Sequence, residues 1–263
     1  MIHREGCPLP SLSVIIIAKN EARNIEVCLR SVQFADQVVV LDSGSTDDTV
    51  QMARSMGAEV SINPDWQGFG VQKNRALGLA NSDWVLSLDA DERVTPELQA
   101  EIQAALKAPA FEVYSFPRLS SFCGQYMRHS GWFPDRVTRL FLRHSAQFSN
   151  DLVHERIVTS SPVGKLESKL LHETYRNFEA VLDKANRYST AGAQMLLSKG
   201  NTASLSTALL HGVWAFVRTY LLRCGFLDGR LGFVLAISIA EATYYRYLKL
   251  WLLQQGASNV SPQ

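Results

Sequence analysis

The stretch WVLSLDADE, residues 84–92, constrains the fold more than any other part of the chain. Trp84, Val85, Leu86 and Leu88 are apolar without helical spacing, which predicts a strand buried on both faces. Asp89 and Asp91 stand at its carboxyl end, where open α/β sheets hold their ligands. Two carboxylates one residue apart on a turn can share a divalent cation. Hard oxygen ligands suit magnesium or manganese, and these ions in turn favour phosphate oxygens. The competing reading is an acidic, solvated turn, and Asp-x-Asp is short enough that the motif alone leaves both open.

Buried runs of strand length recur upstream. LSVIIIA at 12–18 is β-branched and stops at Lys19-Asn20-Glu21; QVVVL at 37–41 leads into DSGSTDD; residues 59–63 form a third, shorter run. Helical patterns lie between them. One surrounds Ile25, Leu29 and Val32. Ser45 followed by Asp48 has capping-box spacing and is expected to open a second helix, which reaches Met56 and is terminated by Gly57. A third, expected over 71–80, follows Gly68 and Gly70 and carries Lys73. Downstream, Thr95 as cap, Pro96 at the first position and Glu97 in the first turn predict a fourth. Alternation of buried strands and amphipathic helices over 12–106 predicts a doubly wound, parallel α/β sheet. The turn after the first strand reads AKNEARN rather than G-x-G-x-x-G, and no Walker-type lysine loop is present, which argues against a dinucleotide or P-loop fold.

From residue 177 the period becomes helical. Residues 205–222 and 231–253 are long patterns rich in Leu, Phe, Trp and Tyr, separated by glycines around Asp228. The uncharged part of the first, 203–217, falls short of the roughly 20 residues that cross a bilayer. The formal net charge is +1, so no overall field points to nucleic acid. That total hides an asymmetry: residues 199–253 hold six basic and two acidic side chains, +4, which leaves −3 for the rest. Amphipathic helices packed partly on the preceding domain and partly on a membrane face, with arginines and lysines reaching lipid phosphates, fit this pattern. A helical core extension or dimer interface is the competing reading. Four scattered cysteines without a C-x-x-C pair suggest neither zinc site nor disulfide framework. MIHREGCPLPS carries no apolar signal segment, so the protein is expected to stay on the side where it is made.

SVIIIAKNE, VVVLDSGSTDDT, QKNRAL and LSLDADE occur in the order found in inverting family 2 glycosyltransferases, and together they resemble that family. GWFPDRVTRLFLR, VHE, LHETY, KANRYS and RCGFLDG extend the resemblance over nearly the whole chain, to the branch containing lipopolysaccharide core β-1,4-glucosyltransferases. The resemblance implies a nucleotide-sugar-binding A-type fold, a doubly wound mixed sheet over 1–176, followed by a helical, membrane-associating region over 177–263. It implies metal-dependent transfer of a hexose, glucose in the first instance, from a UDP-sugar to the heptose region of a lipid-linked core oligosaccharide, at the cytoplasmic face of the inner membrane. The cation would be manganese or magnesium. A family 2 transferase acting on polyprenyl phosphate, or an inactive nucleotide-sugar-binding scaffold, are the alternatives.

Carried over residue by residue, the resemblance gives Glu21 and Asp42 to the uridine and ribose, with Lys73 and Asp89 also on the nucleotide sugar. Asp89, Asp91 and His172 are expected on the metal and diphosphate. Inverting transfer needs a base at the acceptor hydroxyl, opposite the leaving diphosphate. Val153-His154-Glu155 is the matching stretch, with Glu155 as the base. It departs from the more usual Glu-Asp pair, so Asp151 competes for the role. Trp132 and Phe133 are candidates to stack on the acceptor sugar, or else to pack as a lid.

Overall fold

Val14 and Ile16 of the first strand, β1 (Leu12–Ala18), enter one apolar cluster and Ile15 enters another, the period-two signature of a strand covered on both faces. The computed structural model describes residues 10–149 and 155–258. After β1 come α1 (Ala22–Arg30), β2 (Gln37–Asp42), α2 (Thr49–Ser55), β3 (Glu59–Ile62), α3 (Phe69–Leu77), β4 (Trp84–Asp89), β5 (Glu92–Val94) and α4 (Pro96–Lys107). β6 (Val113–Phe122), β7 (Gln125–Tyr126), β8 (Asp135–Leu142), β9 (Gln147–Phe148), β10 (Ile157–Val158), β11 (Val163–Lys165) and β12 (Leu170–Tyr175) complete the strands. Ile25, Leu29, Ala53, Leu98 and Ile102, from α1, α2 and α4, cover one face of the sheet; Ala76 of α3 and Phe148 of β9 cover the other.

The main sheet runs β3-β2-β1-β4-β8-β6-β12-β5. β3, β2, β1 and β4 are parallel, while β8 joins β4 antiparallel, so the sheet is mixed, as the A-type reading expects. Ala18 pairs with Asp42 and Ile17 with Asp89, so the carboxyl ends of three strands lie level at one edge. Thr95 caps α4, accepting from the Leu98 N–H at 3.2 Å, and Gly57 follows α2 at φ +85°, both as the sequence predicts. The capping box at Ser45 does not form. Ser45 gives its N–H and hydroxyl to Asp42, so α2 starts four residues later, at Thr49. His172 lies within β12.

By its contacts the chain divides into one unit of Met1–Arg118 with Asp135–His172 and another of Leu119–Pro134 with Glu173–Gln263. The second is built on α5 (Phe178–Ser198), α6 (Leu205–Phe216), its π-helical continuation 217–222, a 3-10 turn at 225–228, and α7 (Gly229–Ser258). Asn177 and Ser204 cap α5 and α6. α7 packs on both, with His211 stacked on Tyr247 at 3.9 Å and Lys249 bound to Asn186, Ser189 and Thr190. The buried Asp228 of RCGFLDG accepts from the backbone of Arg128 and His129 and from the Ser130 hydroxyl, fixing the loop that precedes GWFPD. Among the described residues no helix is long and apolar enough to cross a membrane.

Gly70 is required by packing rather than by a turn. A Cβ there would lie 1.8 Å from the Ser149 carbonyl oxygen, so only glycine lets α3 meet the β9–β10 hairpin. Gly70→Ala is expected to lower stability by about 1–3 kcal/mol, the usual range for overpacking, measured by thermal unfolding. An unchanged melting temperature would show that the hairpin moves aside freely.

Candidate active site

At the level edge, the loops after β1 and β2 are tied into one surface. Asn20, at φ +57°, accepts from the Thr46 N–H at 2.8 Å and donates its own N–H to Ser45 Oγ at 2.8 Å. The Glu21 N–H reaches Thr49 Oγ1 and the Ala22 N–H reaches Asp47. This cross-bonding joins KNE and GSTDD into one structural unit. Asp42 is 1 % exposed and accepts from the Gly44 and Ser45 N–H groups at 2.9 and 2.8 Å, so it shapes its own turn. The Glu21 carboxylate accepts from Asn24 at 2.6 Å.

β4 ends on a buried network of ion pairs. Lys73 Nζ lies 2.9 Å from Asp89 Oδ1 and 2.8 Å from Glu155 Oε1. Lys73, the fifth residue of α3, is 1 % exposed, which excludes a solvated surface lysine. Arg139 Nη2 lies 2.7 Å from Asp89 Oδ2 and 3.1 Å from Glu92 Oε1. Glu92, wholly buried, also accepts from the Asp89 N–H at 2.9 Å and pairs with Arg118 at 3.3 Å; Arg118 in turn pairs with Asp135 at 2.7 Å. Burial alone would raise the Asp89 carboxyl, but Arg139 and Lys73 beside it hold it well below the usual carboxylate range. Burial pulls Arg139 down and Asp89 and Glu92 more than reverse it, so Arg139 stays firmly cationic. The solvated-turn reading of DADE therefore fails for Asp89 and Glu92.

Arg139 reaches Asp89 through an irregularity in β8. Tyr114 of β6 pairs with Leu140 and Ser115 with Thr138, so Arg139 is the extra residue of a β-bulge. Bulges re-aim side chains, and here the one re-aimed is the charge in the otherwise apolar run RLFL. Sequence reasoning missed Arg139, Glu92 and Arg118. For Arg139 the available signal was an arginine at the head of the buried run RLFL.

Asp91 sits between β4 and β5. β12 pairs with β5 so that His172 stands opposite Glu92, and His172 Nε2 lies 3.3 Å from Asp91 Oδ2. One imidazole and one carboxylate, both partly exposed, fit a manganese- or magnesium-type cation with other positions left for ligand oxygens. The expected trio is not assembled: among the described residues no three metal-type side chains cluster, because Asp89 is turned toward Lys73 and Arg139. Asp89, Glu155 and Arg139 line a cavity of about 420 Å³ with Arg118, Arg136 and Arg156. A larger one of about 620 Å³, bordered by Asn74, Arg143 and His144, holds no carboxylate. Trp132 belongs to the second unit and packs edge-on against Phe122 and tilted against Tyr175, with ring centroids 5.9 and 6.1 Å away; Phe133 precedes a cis proline beside it. Asp151 lies outside the described residues.

Removing one partner of a buried ion pair strands the other. Glu92→Gln is therefore expected to destabilise the protein by about 3–5 kcal/mol in denaturant unfolding. A loss under about 1 kcal/mol would show that Arg139 and Arg118 find other acceptors.

The family described as Glycosyl transferase family 2 matches residues 13–163, spanning β1 to β11 and thus the whole ion-pair network. An uncharacterized glycosyltransferase of Rickettsia prowazekii is 32% identical over 96% of this chain and 90% of its own length. The lipopolysaccharide core biosynthesis glycosyltransferase LpsC of Rhizobium meliloti is 29% identical over 91% of this chain and 94% of its own. A crystal structure of glucosyl-3-phosphoglycerate synthase from Mycobacterium tuberculosis is 26% identical over 46% of this chain and 51% of that one, at a TM-score of 0.37, too distant to carry an argument. The chain belongs to Glycosyl transferase family 2 and is a glycosyltransferase.

Proposed function

We propose that the protein transfers a hexose, glucose in the first instance, from a UDP-sugar to the heptose region of the lipopolysaccharide inner core, with inversion. The observation that carries the reading is Lys73, a buried ammonium spanning Asp89 at the donor strand tip and Glu155 across the cavity. Likeness to a lipopolysaccharide core transferase along 91% of the chain supports the acceptor class.

In this reading Glu21 and Asp42, on the bound-together loops, meet the uridine and ribose. Asp91 and His172 would hold a divalent cation, which neutralises charge on the leaving diphosphate. The acceptor oxygen attacks the sugar carbon, the bond to the diphosphate oxygen breaks, and the acceptor proton passes to Glu155. Lys73 orients Glu155 toward the cavity and offsets the carboxylate charge that would repel a diphosphate. Trp132 and Phe133 are proposed to meet the acceptor sugar.

The second unit supplies a membrane face. Leu210, Val213 and Trp214 of α6 are 69 %, 62 % and 54 % exposed, Leu222 and Leu227 beyond it are 63 % and 59 % exposed, and Arg218, Arg223 and Arg230 lie exposed among them. An apolar strip edged by arginines suits an anionic bilayer surface, and we place the enzyme at the cytoplasmic face of the inner membrane.

Glu155→Gln is expected to cut transfer to core oligosaccharide by about 10²–10⁴-fold, the usual contribution of a general base, while UDP binding stays within about twofold. Full turnover in this variant would move the base to Asp151. Transfer to polyprenyl phosphate but not to core oligosaccharide would replace the acceptor class. Leu210→Glu with Trp214→Glu should abolish co-flotation with phosphatidylglycerol vesicles; unchanged flotation would remove α6 from the membrane face.

A further inference from the structure

The geometry points to a phosphate-binding acceptor subsite in the arginine-lined cavity, so that the acceptor is a phosphorylated sugar; this rests on the donor and transfer reading above. Among the described residues, Arg118, Arg136, Arg139 and Arg156 line the cavity with Thr138, against two carboxylates, Asp89 and Glu155. Both of those are already contacted by Lys73. The acids that offset Arg118 and Arg136, namely Glu92, Asp135 and Glu167, are not among its lining residues. Among the described residues the Arg156 side chain has no ion-pair partner, and the Nε–H of Arg139 is buried with no acceptor. A buried donor without a partner is a rare and costly arrangement, and an oxyanion satisfies it.

Position separates this cavity from the nucleotide. The uridine reading uses the tips of β1 and β2, whereas β8, which carries Arg136 and Arg139, lies on the opposite side of β4 in the strand order. A ligand held by Arg136 and Arg156 therefore lies across Asp89 from the base and ribose, on the side where Glu155 stands. Guanidinium groups bind phosphate bidentately, which fixes orientation as well as charge. A phosphate group anchored there would hold the sugar that carries it, so that a hydroxyl of the same sugar faces Glu155.

The test is calorimetric titration of the full-length protein with inorganic phosphate, and separately with UDP plus manganese. Arg156→Gln and Arg136→Gln should each weaken phosphate binding about tenfold or more, the loss of one charge-assisted hydrogen bond, and leave UDP binding within about twofold. Saturating UDP and manganese should leave phosphate binding intact. Competition between UDP and phosphate would assign the arginines to the donor diphosphate and overturn the proposal, as would variants that bind phosphate like the wild type. Lost UDP binding with phosphate binding kept would instead remove the donor reading, and the acceptor assignment with it. In a second arm, phosphatase treatment of core oligosaccharide should raise its KM for the wild type about tenfold and leave that of Arg156→Gln nearly unchanged; an equal rise in both would place the phosphate elsewhere.

Discussion

A buried carboxylate such as Glu92 cannot stand alone, and the answer this chain gives to that constraint organises its catalytic unit. Desolvating a single unpaired charge costs several kcal/mol, so Asp89 and Glu92 together require cations brought in from elsewhere in the fold. Lys73 comes from α3, Arg139 from the bulge in β8 and Arg118 from β6. The glycine at position 70 lets α3 approach the hairpin that leads to Glu155. Each element is thus held where its charge is needed, and Glu155, far from Asp89 in sequence, is drawn to the same ammonium.

The chemistry follows from that preorganisation. Fixed charges aimed at a reacting group need not reorganise when the reaction occurs, and they act more strongly where water is excluded. Here the partners of Asp89 are themselves nearly inaccessible, so its charge state is set by the protein rather than by solvent. Asp91 is exposed to a similar extent, 28 % against 31 % for the Asp89 side chain, but it faces His172 where Asp89 faces Lys73 and Arg139. The two aspartates of one short motif have separate environments: the first anchors the network, the second is available to a ligand.

Much of this was legible in the sequence. Three of the four parallel strands, β1, β2 and β4, announced themselves by continuous apolar runs, because burial on both faces leaves no polar alternation, and the caps at Thr95 and Gly57 follow local rules that tertiary structure did not override. Other signals misled for physical reasons. Ser45 has the spacing of a helix cap, yet the nearer carboxylate of Asp42 takes its hydroxyl. The pairing of Lys73 with Glu155 had no signal, because helical position says nothing about what packs above a residue. The roles of Arg139 and Glu92 depend on a bulge and on long-range pairing, neither of which has a sequence period. The second unit draws in residues 119–134 because Asp228 binds the backbone of that loop, a contact between positions about a hundred residues apart.

We propose that the edge of β4 binds a uridine nucleotide through a divalent cation held at Asp91. Calorimetric titration of wild-type protein and Asp91→Ala with UDP, each with and without manganese, tests this. Saturable binding by the wild type should require the metal and weaken at least about tenfold in the variant, while thermal unfolding of the two proteins matches. Equal UDP affinity with and without manganese, or no binding by the wild type in its presence, would contradict it.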